Sequence, residues 1–274
     1  MEIKGDYEGM WEDFAVRKSH AYLTDKYDLR NVVGLVGRAR EHEIFRALHL
    51  NSNDVLLDIG CASGHEVFSA APYIKKGVGV DIAKSFTDAA EQFATEHNIT
   101  NTEFFHVDAE KLPFPDNSFS KIICSEVVEH VVDPKILLAE IHRVLSPNGI
   151  VVFTVPNWNS RGTLYKRIMN GFRPFPFTPL TDFSMEGIAA HGDAHVWQFT
   201  IREFKELVES AGFETEYTGG AAFIDGPKIG RIIHIVNSLG IFRWLTFTLE
   251  KCIAKIPFLK IFGRQIILAA RVRE

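Results

Sequence analysis

The stretch V-L-L-D-I-G-C-A-S-G at residues 55–64 decides the fold. Its first part, Val55 to Ile59, is a short apolar run that is typical of a buried parallel strand. Small residues follow at positions 60, 62 and 64, so the backbone can turn tightly and approach a ligand closely. A helical pattern begins at about Gly64, and its first amide groups would point towards that ligand. The stretch therefore predicts a strand, a turn that binds a ligand, and a helix.

Strand and helix patterns alternate beyond this unit, with about 25–30 residues in each repeat. Such alternation predicts a parallel, doubly wound sheet whose ligand crevice lies at the carboxyl ends of the strands. We expect an α/β, Rossmann-like fold. It has a seven-stranded, mostly parallel sheet with helices on both faces, a helical N-terminal extension and a helical insertion before the last strand. The further predicted strands are 77–81, 103–107, 121–125, 150–155, 213–217 and 265–272, and the helices between them are 83–97, 134–146 and 200–211.

The chain is predicted to form one domain with four parts. Residues 1–50 form an N-terminal helical cap that contributes to an acceptor site, and residues 51–156 form a cofactor-binding core. Residues 157–198 form a long insertion of the kind that serves as a lid or binding loop. Residues 199–274 complete the sheet and include an amphipathic helical insertion at 229–262.

Composition and charge exclude several classes of protein. With 274 residues, 46% hydrophobic and 24% charged, the chain has ordinary globular composition. The formal net charge of −5 makes nucleic acid an unexpected partner, because backbone binding needs a basic surface. The three cysteines form no C-x-x-C pair, which disfavours a thiolate zinc site and fits a reducing cytoplasm. We find neither a signal-peptide core at the N-terminus nor a run of 18 apolar residues, so a cytoplasmic location is expected.

Acidic residues stand at the ends of three consecutive predicted strands. Asp58 precedes the turn, where a carboxylate suits an ammonium group better than a pyrophosphate. Asp81 can accept both hydroxyls of a ribose. Asp108 can accept a hydrogen bond from an adenine amine, with Leu112 or Phe114 beside the ring. The three acids match a cationic ligand that carries ribose and adenine, whereas the missing G-x-G-x-x-G disfavours a nicotinamide-dependent oxidoreductase.

Residues 55–155 resemble the class I S-adenosylmethionine-dependent methyltransferases. The motifs that carry the resemblance are D-I-G-C-A-S-G, V-G-V-D, V-D-A-E-K-L-P-F, F-S-K-I-I-C-S-E-V-V-E-H-V and E-I-H-R-V-L-S-P-N-G-I-V-V-F-T-V-P-N. The resemblance implies that S-adenosylmethionine is the cofactor, with Gly60 and Gly64 at its methionine moiety. It also implies that Asp81 contacts the ribose and Asp108 with Ala109 the adenine, although Ala62 stands where many members have glycine. The predicted cofactor-binding residues are Asp58, Gly60, Cys61, Gly64, Asp81, Ile82, Asp108, Ala109 and Ser125.

The motif S-E-V-V-E-H at residues 125–130 carries the candidate catalytic groups. If a helical turn begins there, Glu126, Glu129 and His130 lie on one face and form half of a divalent-cation site. The motif resembles the E-x-x-E-H sequence with which some quinone-pathway and RNA-ribose methyltransferases bind magnesium or a similar ion. The alternative is that these side chains shape the substrate floor without a metal.

A downstream histidine can complete such a site, as the resemblance implies, about sixty residues further on. The candidates are His191 and His195. His195 also has a metal-free role as a general base, because an imidazole titrates near neutral pH. We therefore predict Glu126, Glu129, His130 and His195 both as catalytic residues and as ligands of magnesium or another divalent cation.

The acceptor side is predicted from the two irregular segments. Aromatic residues and arginines in 157–198 suit an organic acceptor with a ring or an anionic group, or else fill a lid core of their own. Residues 229–262 mix aromatics with lysine and arginine. That composition fits a helix at a membrane surface, a cap packed on the domain, or a homodimer interface.

The sequence thus predicts methyl transfer from S-adenosylmethionine to a small-molecule, glycan or lipid-precursor acceptor, with a hydroxyl favoured by the base and metal candidates. One alternative is an RNA-ribose methyltransferase, which the acidic net charge disfavours. Another is a catalytically silent domain that binds the cofactor and serves as a partner or regulator.

Overall fold

The computed structural model describes residues 7–24, 32–158, 195–221, 248–249, 252–253 and 263–273. Side chains are described from residue 7 to 16 and, within the later ranges, from residue 37 onward. His191, residues 159–194 of the predicted lid and most of the predicted insertion at 229–262 lie outside the described residues. Within these ranges, no helix is both long enough and apolar enough to cross a membrane.

One sheet of seven strands forms the centre of the domain, in the order β3-β2-β1-β4-β5-β7-β6. Pairings among β1 to β5 are all parallel, whereas β7 runs antiparallel to both β5 and β6. The predicted seven-stranded, mostly parallel, Rossmann-like sheet is confirmed. The strands are β1 Val55–Ile59, β2 Lys76–Asp81, β3 Thr102–His106, β4 Phe119–Ser125, β5 Leu145–Pro156, β6 Phe213–Ala221 and β7 Gln265–Val272.

Helices connect the strands, and local sequence explains where several of them begin. Asp133 caps α5 by accepting the amide N–H of Lys135, and Pro134 occupies the first helical position. Thr200 and Glu203 form a capping box at α6. The helices are α1 Tyr7–Thr24, α2 Val32–Leu48, α3 His65–Ala70, α4 Lys84–Glu96, α5 Pro134–Val144 and α6 Ile201–Ser210, with a 3₁₀ turn at Ala71–Tyr73.

Both faces of the sheet are covered, as the strands' continuous apolar runs predict. On one face, Leu137 of α5 and Phe204 of α6 pack against strand residues such as Phe153. On the other face, Ile44 and Leu48 of α2 pack against the sheet. This arrangement leaves the carboxyl ends of β1 to β4 open for a ligand.

Some boundaries differ from the predicted ones. Strand β6 continues to Ala221 rather than ending at Tyr217, because it pairs with β7 along its whole length. Helix α5 ends at Val144, since Leu145 is already extended and pairs with Phe119 at the start of β4. Ser125 ends β4, and residues 126–130 form a bend and a turn rather than a regular helix.

Candidate active site

A cavity of about 690 Å³ opens at the carboxyl ends of β1 to β4, and we call it the strand-end cavity. Its floor comes from the loops that follow these strands, and its roof comes from α1. This is the position that a doubly wound sheet offers to a ligand. The wall includes Tyr7, Met10, Trp11, Asp13, Phe14, Arg40, Gly60, Ala62, Asp81, Ile82, Asp108, Ala109, Glu110, Ser125, Glu126, Val127 and His130.

The turn after β1 forms the cavity wall with its backbone. The amides of Gly60 and Cys61 both donate to the carbonyl of Val80, at 2.8 and 3.0 Å, so the turn is tied to β2. Gly60 has φ +70°, and a Cβ there would lie 2.3 Å from Val127 Cγ2. A side chain at this position would therefore strain the backbone and push into the loop that carries Glu126 and His130.

Asp81 connects this turn to the start of α4. Its carboxylate accepts the amide N–H of Ala62 on one oxygen and that of Ala83 on the other, each at 2.9 Å. Burial raises the pKa of Asp81 to about 6, and the two amide hydrogen bonds oppose the rise. The carboxylate is thus held rigidly at the cavity wall, with lone pairs left for hydroxyl donors.

Asp108 and Glu110 form a second acidic group, at the far end of the cavity. Asp108 accepts the amide of Glu110 at 2.9 Å, and Glu110 accepts the amides of Val132 and Asp133 at 3.1 Å. Burial raises the pKa of the Tyr7 phenol on α1, and the nearby carboxylates, among them Glu110 and Asp108, raise it further. Tyr7 therefore faces this acidic end as a neutral phenol.

Several residues that the sequence suggested for the ligand lie behind the wall instead. Asp58 is 2% exposed in β1, and Cys61 packs against Phe104 and other core side chains. Gly64 has φ +82°, and a Cβ there would lie 2.6 Å from the Phe104 ring. Leu112 belongs to the main core, and Phe114 packs against it. These residues pack behind the turn after β1 and behind the loop after β3. The predicted cofactor-binding residues that do line the cavity are Gly60, Asp81, Ile82, Asp108, Ala109 and Ser125.

Glu126 is held apart from its neighbours by a left-handed backbone conformation, with φ +58°. Its carboxylate accepts hydrogen bonds from Thr154 Oγ1 at 3.0 Å and Gln265 Nε2 at 3.1 Å. The guanidinium of Arg40, on α2, lies 3.8 Å away and is also 3.8 Å from Glu66. Arg40 thus brings a buried positive charge to the cavity wall between two carboxylates.

The helical turn that the sequence suggested begins one residue later than expected. His130 N and Val131 N both donate to the carbonyl of Val127, at 2.8 and 3.3 Å. Glu126 therefore lies outside the turn. Three of the four residues predicted to form a cluster do come together, namely Glu129, His130 and His195. Their potential ligand atoms all lie within 4.8 Å of one another, whereas Glu126 is not part of this group.

Backbone hydrogen bonds bring His195 to this cluster. The carbonyl of Glu129 accepts the amides of Val196 and Trp197, at 2.8 and 2.9 Å. The rings of His130 and His195 are 5.0 Å apart between centroids, and Nε2 of His130 is 3.9 Å from Glu129 Oε1. The chain segment beyond the long insertion is thus fixed directly onto the 125–130 loop.

Glu129 is the most unusual side chain of the cluster. It is 1% exposed, and among the residues that the structure describes neither of its carboxylate oxygens has a hydrogen-bond partner. Burial raises the pKa of Glu129 well above its ordinary value, and the charge of Glu126 adds to the rise. A buried carboxylate without partners is costly unless a proton or a cation neutralises it. One carboxylate and two imidazoles are a donor set that divalent cations accept, so the three residues fit such an ion.

Comparison with known proteins finds a methyltransferase domain in the central part of this chain. A family model described as "Methyltransferase domain" matches residues 57–153, which include the turn after β1, the three strand-end acids and the 125–130 loop. The chain is an S-adenosylmethionine-dependent methyltransferase, and the matched domain makes up about a third of its length. Its resemblance to that family in sequence is therefore confirmed.

Relatives of this methyltransferase differ in how much they share with it. The uncharacterized methyltransferase YcgJ of Bacillus subtilis is 38% identical over 94 residues, which are 34% of this chain and only 37% of that protein. A demethylmenaquinone methyltransferase of Geobacillus stearothermophilus is 28% identical, over 62% of this chain and 75% of that one. The crystal structure of an S-adenosylmethionine-dependent methyltransferase from Mesorhizobium loti covers 87% of this chain and all of its own, with 18% identity and a TM-score of 0.59. The last comparison shows the shared fold.

Two parts of the methyltransferase cavity were not predicted from the sequence, namely Arg40 and the aromatic side chains of α1. Arg40 is one charged residue among many in α2, and only the docking of that helix selects it. The aromatic roof was accessible in principle, because Tyr7, Met10, Trp11 and Phe14 follow the spacing of one helix face. The prediction that residues 1–50 contribute to the site was made for the segment as a whole, without naming these side chains.

Proposed function

We propose that this methyltransferase binds S-adenosylmethionine in the strand-end cavity and transfers its methyl group to a hydroxyl of a small-molecule, glycan or lipid-precursor acceptor. The observation that carries the hydroxyl preference is the cluster of Glu129, His130 and His195 beside the cavity. Methyl transfer from a sulfonium needs alignment of donor and acceptor, together with removal of a proton when the acceptor is a hydroxyl. The cluster supplies groups for the second task.

The cofactor is proposed to lie along the wall from Asp108 to Gly60. Asp108 and Ala109 would hold the adenine, and the buried carboxylate of Asp81 would accept the ribose hydroxyls. The methionine end would then lie against Gly60, where the guanidinium of Arg40 offers a partner for its carboxylate. This orientation directs the sulfonium methyl towards the 125–130 loop.

Glu129, His130 and His195 are proposed to hold a divalent cation such as Mg²⁺. The support is the pair of unsatisfied, buried carboxylate oxygens of Glu129, which face two imidazoles. A bound cation would lower the pKa of an acceptor hydroxyl. Without a cation, His195 or His130 would accept the acceptor's proton directly, since an imidazole titrates near neutral pH. Both arrangements place proton removal in the same three residues.

Charge at the cavity favours a small acceptor over RNA. Asp13, Glu110 and Glu126 add carboxylates to the wall beyond those proposed for the cofactor. These charges, with the net charge of −5, would repel a phosphate backbone. One relative is named a demethylmenaquinone methyltransferase, and a quinone acceptor would fall within the proposed acceptor class. The cytoplasmic location, the membrane-surface contact and the homodimer remain predictions.

Transfer of a labelled methyl group from S-adenosylmethionine into an extract of the source cells tests the proposal. The reaction is run with and without a chelator and then partitioned between organic and aqueous phases. The Asp81→Ala variant, which should lack cofactor binding, is the matched control. Label in the organic phase indicates a lipid or quinone, whereas label in the aqueous phase that survives ribonuclease indicates a sugar or metabolite. Label confined to RNA, or no transfer above the Asp81→Ala background, would overturn the proposed acceptor class.

A further inference from the structure

Helix α1 lies across the strand-end cavity and packs on the domain through a small cluster of its own. Ala15 of α1 joins Ala62, Ala83 and Phe86 in this cluster, and Phe14 packs beside them with its ring 6.2 Å from that of Phe86. The cluster is separate from the two cores that cover the sheet. The side chains through which α1 is anchored therefore belong to the turn after β1 and to the start of α4, both of which border the cavity.

One carboxylate anchors α1 to α4. Glu12 accepts the backbone N–H of Ser85 at 3.1 Å on one oxygen and the Ser85 hydroxyl on the other. Ser85 lies in the first turn of α4, and Ala83 at the cap position provides no side-chain hydrogen bond. Glu12 thus supplies from α1 the cap that α4 lacks, and the N-terminal end of the helix dipole favours its negative charge.

The same turn of α1 faces the cavity with aromatic side chains. Tyr7, Trp11 and Phe14 all line the cavity wall. The Trp11 ring meets the His130 ring edge-on, with centroids 4.9 Å apart. Near the start of α1, Glu8 Oε1 lies 3.2 Å from His106 Nε2. In this position the aromatic side chains of α1 lie over one side of the cavity, next to the wall that contains Asp81 and His130.

We propose that α1 is a lid over the cofactor and that Glu12 is the positioning residue that latches it to Ser85. Opening breaks the two hydrogen bonds of Glu12 and separates Phe14 from Phe86; closing brings Tyr7 and Trp11 onto the bound cofactor. Because Trp11 contacts His130, closure also fixes the histidine of the proposed acceptor site. This inference rests on the proposed cofactor position in the strand-end cavity.

Stopped-flow kinetics of S-adenosylhomocysteine binding test the latch. Glu12→Ala, Ser85→Ala and the double variant are compared with Glu91→Ala, which removes an exposed carboxylate of α4. Charge-assisted hydrogen bonds of this kind correspond to about a tenfold change in an equilibrium constant. We expect Glu12→Ala and Ser85→Ala each to accelerate dissociation at least about fivefold without slowing association, and the double variant to add little to either.

The readouts separate a latch from a simple helix cap. If Glu12 serves only as the cap of α4, its loss disorders α4 and slows association of the ligand. In that case ligand binding would also leave the hydrogen exchange of residues 8–16 unchanged. Either result overturns the proposal. Dissociation rates equal to that of Glu91→Ala would overturn it as well. We expect ligand binding to protect residues 8–16 against hydrogen exchange, and we expect this protection to be weaker in Glu12→Ala. If the unmodified protein does not bind S-adenosylhomocysteine at all, the proposed function fails instead.

Discussion

Arg40 and Glu126 form an ion pair across the wall of the strand-end cavity, with Nη1 and Oε2 3.8 Å apart. The two residues come from distant parts of the chain, α2 and the loop after β4. Arg40 is 8% exposed and has a second carboxylate, Glu66, at the same distance. The guanidinium is therefore fixed by charge on both sides while it lines the cavity.

Replacement of Arg40 should weaken cofactor binding. We expect Arg40→Gln to lower the affinity for S-adenosylhomocysteine at least about tenfold, because a charge-assisted hydrogen bond to the methionine carboxylate is lost. Isothermal titration calorimetry measures the change, and circular dichroism checks that the variant is folded. Arg38→Gln, at an exposed position on the same helix, is the control and should bind normally. Unchanged affinity in Arg40→Gln would show that the methionine end lies elsewhere.

Cofactor affinity should depend on pH through Asp81. Its pKa of about 6 means that the carboxylate is mostly ionised at pH 7 and mostly protonated at pH 5. Ribose hydroxyls donate to the ionised form, so affinity should fall as the pH drops, by about tenfold between pH 7 and pH 5. Calorimetry with S-adenosylhomocysteine across this range measures the effect. Asp81→Asn should bind weakly and without this dependence; a variant that keeps the same pH profile would assign the titration to another group.

The architecture was predictable because central strands such as β1 and β5 contain apolar runs that end at turn residues. Strand β1 and strand β7 occur where the sequence placed them, at Val55–Ile59 and Gln265–Val272. Strand β6 was predicted too short because Gly219 and Gly220 interrupt its pattern, and only pairing with β7 extends it to Ala221. Pairing between distant strands is a tertiary effect that local periodicity does not contain.

The candidate site was predictable to the extent that its residues follow strands. Asp81 is the last residue of β2 and Asp108 follows the end of β3 by two residues, and parallel topology brings such positions together. Arg40 depends on how α2 docks, which no local pattern specifies. Glu126 was expected beside Glu129, but its left-handed backbone turns it towards Thr154. A single dihedral angle thus divides one sequence motif between two environments.

Two small residues of the turn should differ in how well they tolerate substitution. Gly60→Ala introduces a Cβ at φ +70° and 2.3 Å from Val127 Cγ2, so we expect at least about 2 kcal/mol of destabilisation and loss of cofactor binding. Ala62 already has φ +46°. In Ala62→Gly, relief of this strain offsets the added chain entropy, and stability should stay within about 1 kcal/mol. Urea unfolding and calorimetry measure both variants. Equal losses in the two would mean that the turn tolerates no change of side chain at either position.

Glu129→Gln should stabilise the fold at neutral pH while it abolishes the proposed catalytic function. The raised pKa of buried Glu129 means that the unfolded chain ionises above about pH 4.5, whereas the folded chain keeps its proton. The stability that this group contributes is present below that pH and is lost as the pH rises, at up to about 1.4 kcal/mol per unit. The Gln variant should therefore gain on the unmodified protein between pH 4.5 and pH 7 when a chelator is present. Urea unfolding at several pH values measures the difference.

Mg²⁺ or Mn²⁺ should restore stability only to the unmodified protein, because a cation replaces the proton of Glu129. A cation-induced rise in the melting temperature that persists in Glu129→Gln would place the ion outside this cluster, and undiminished methyl transfer by that variant would remove Glu129 from the reaction.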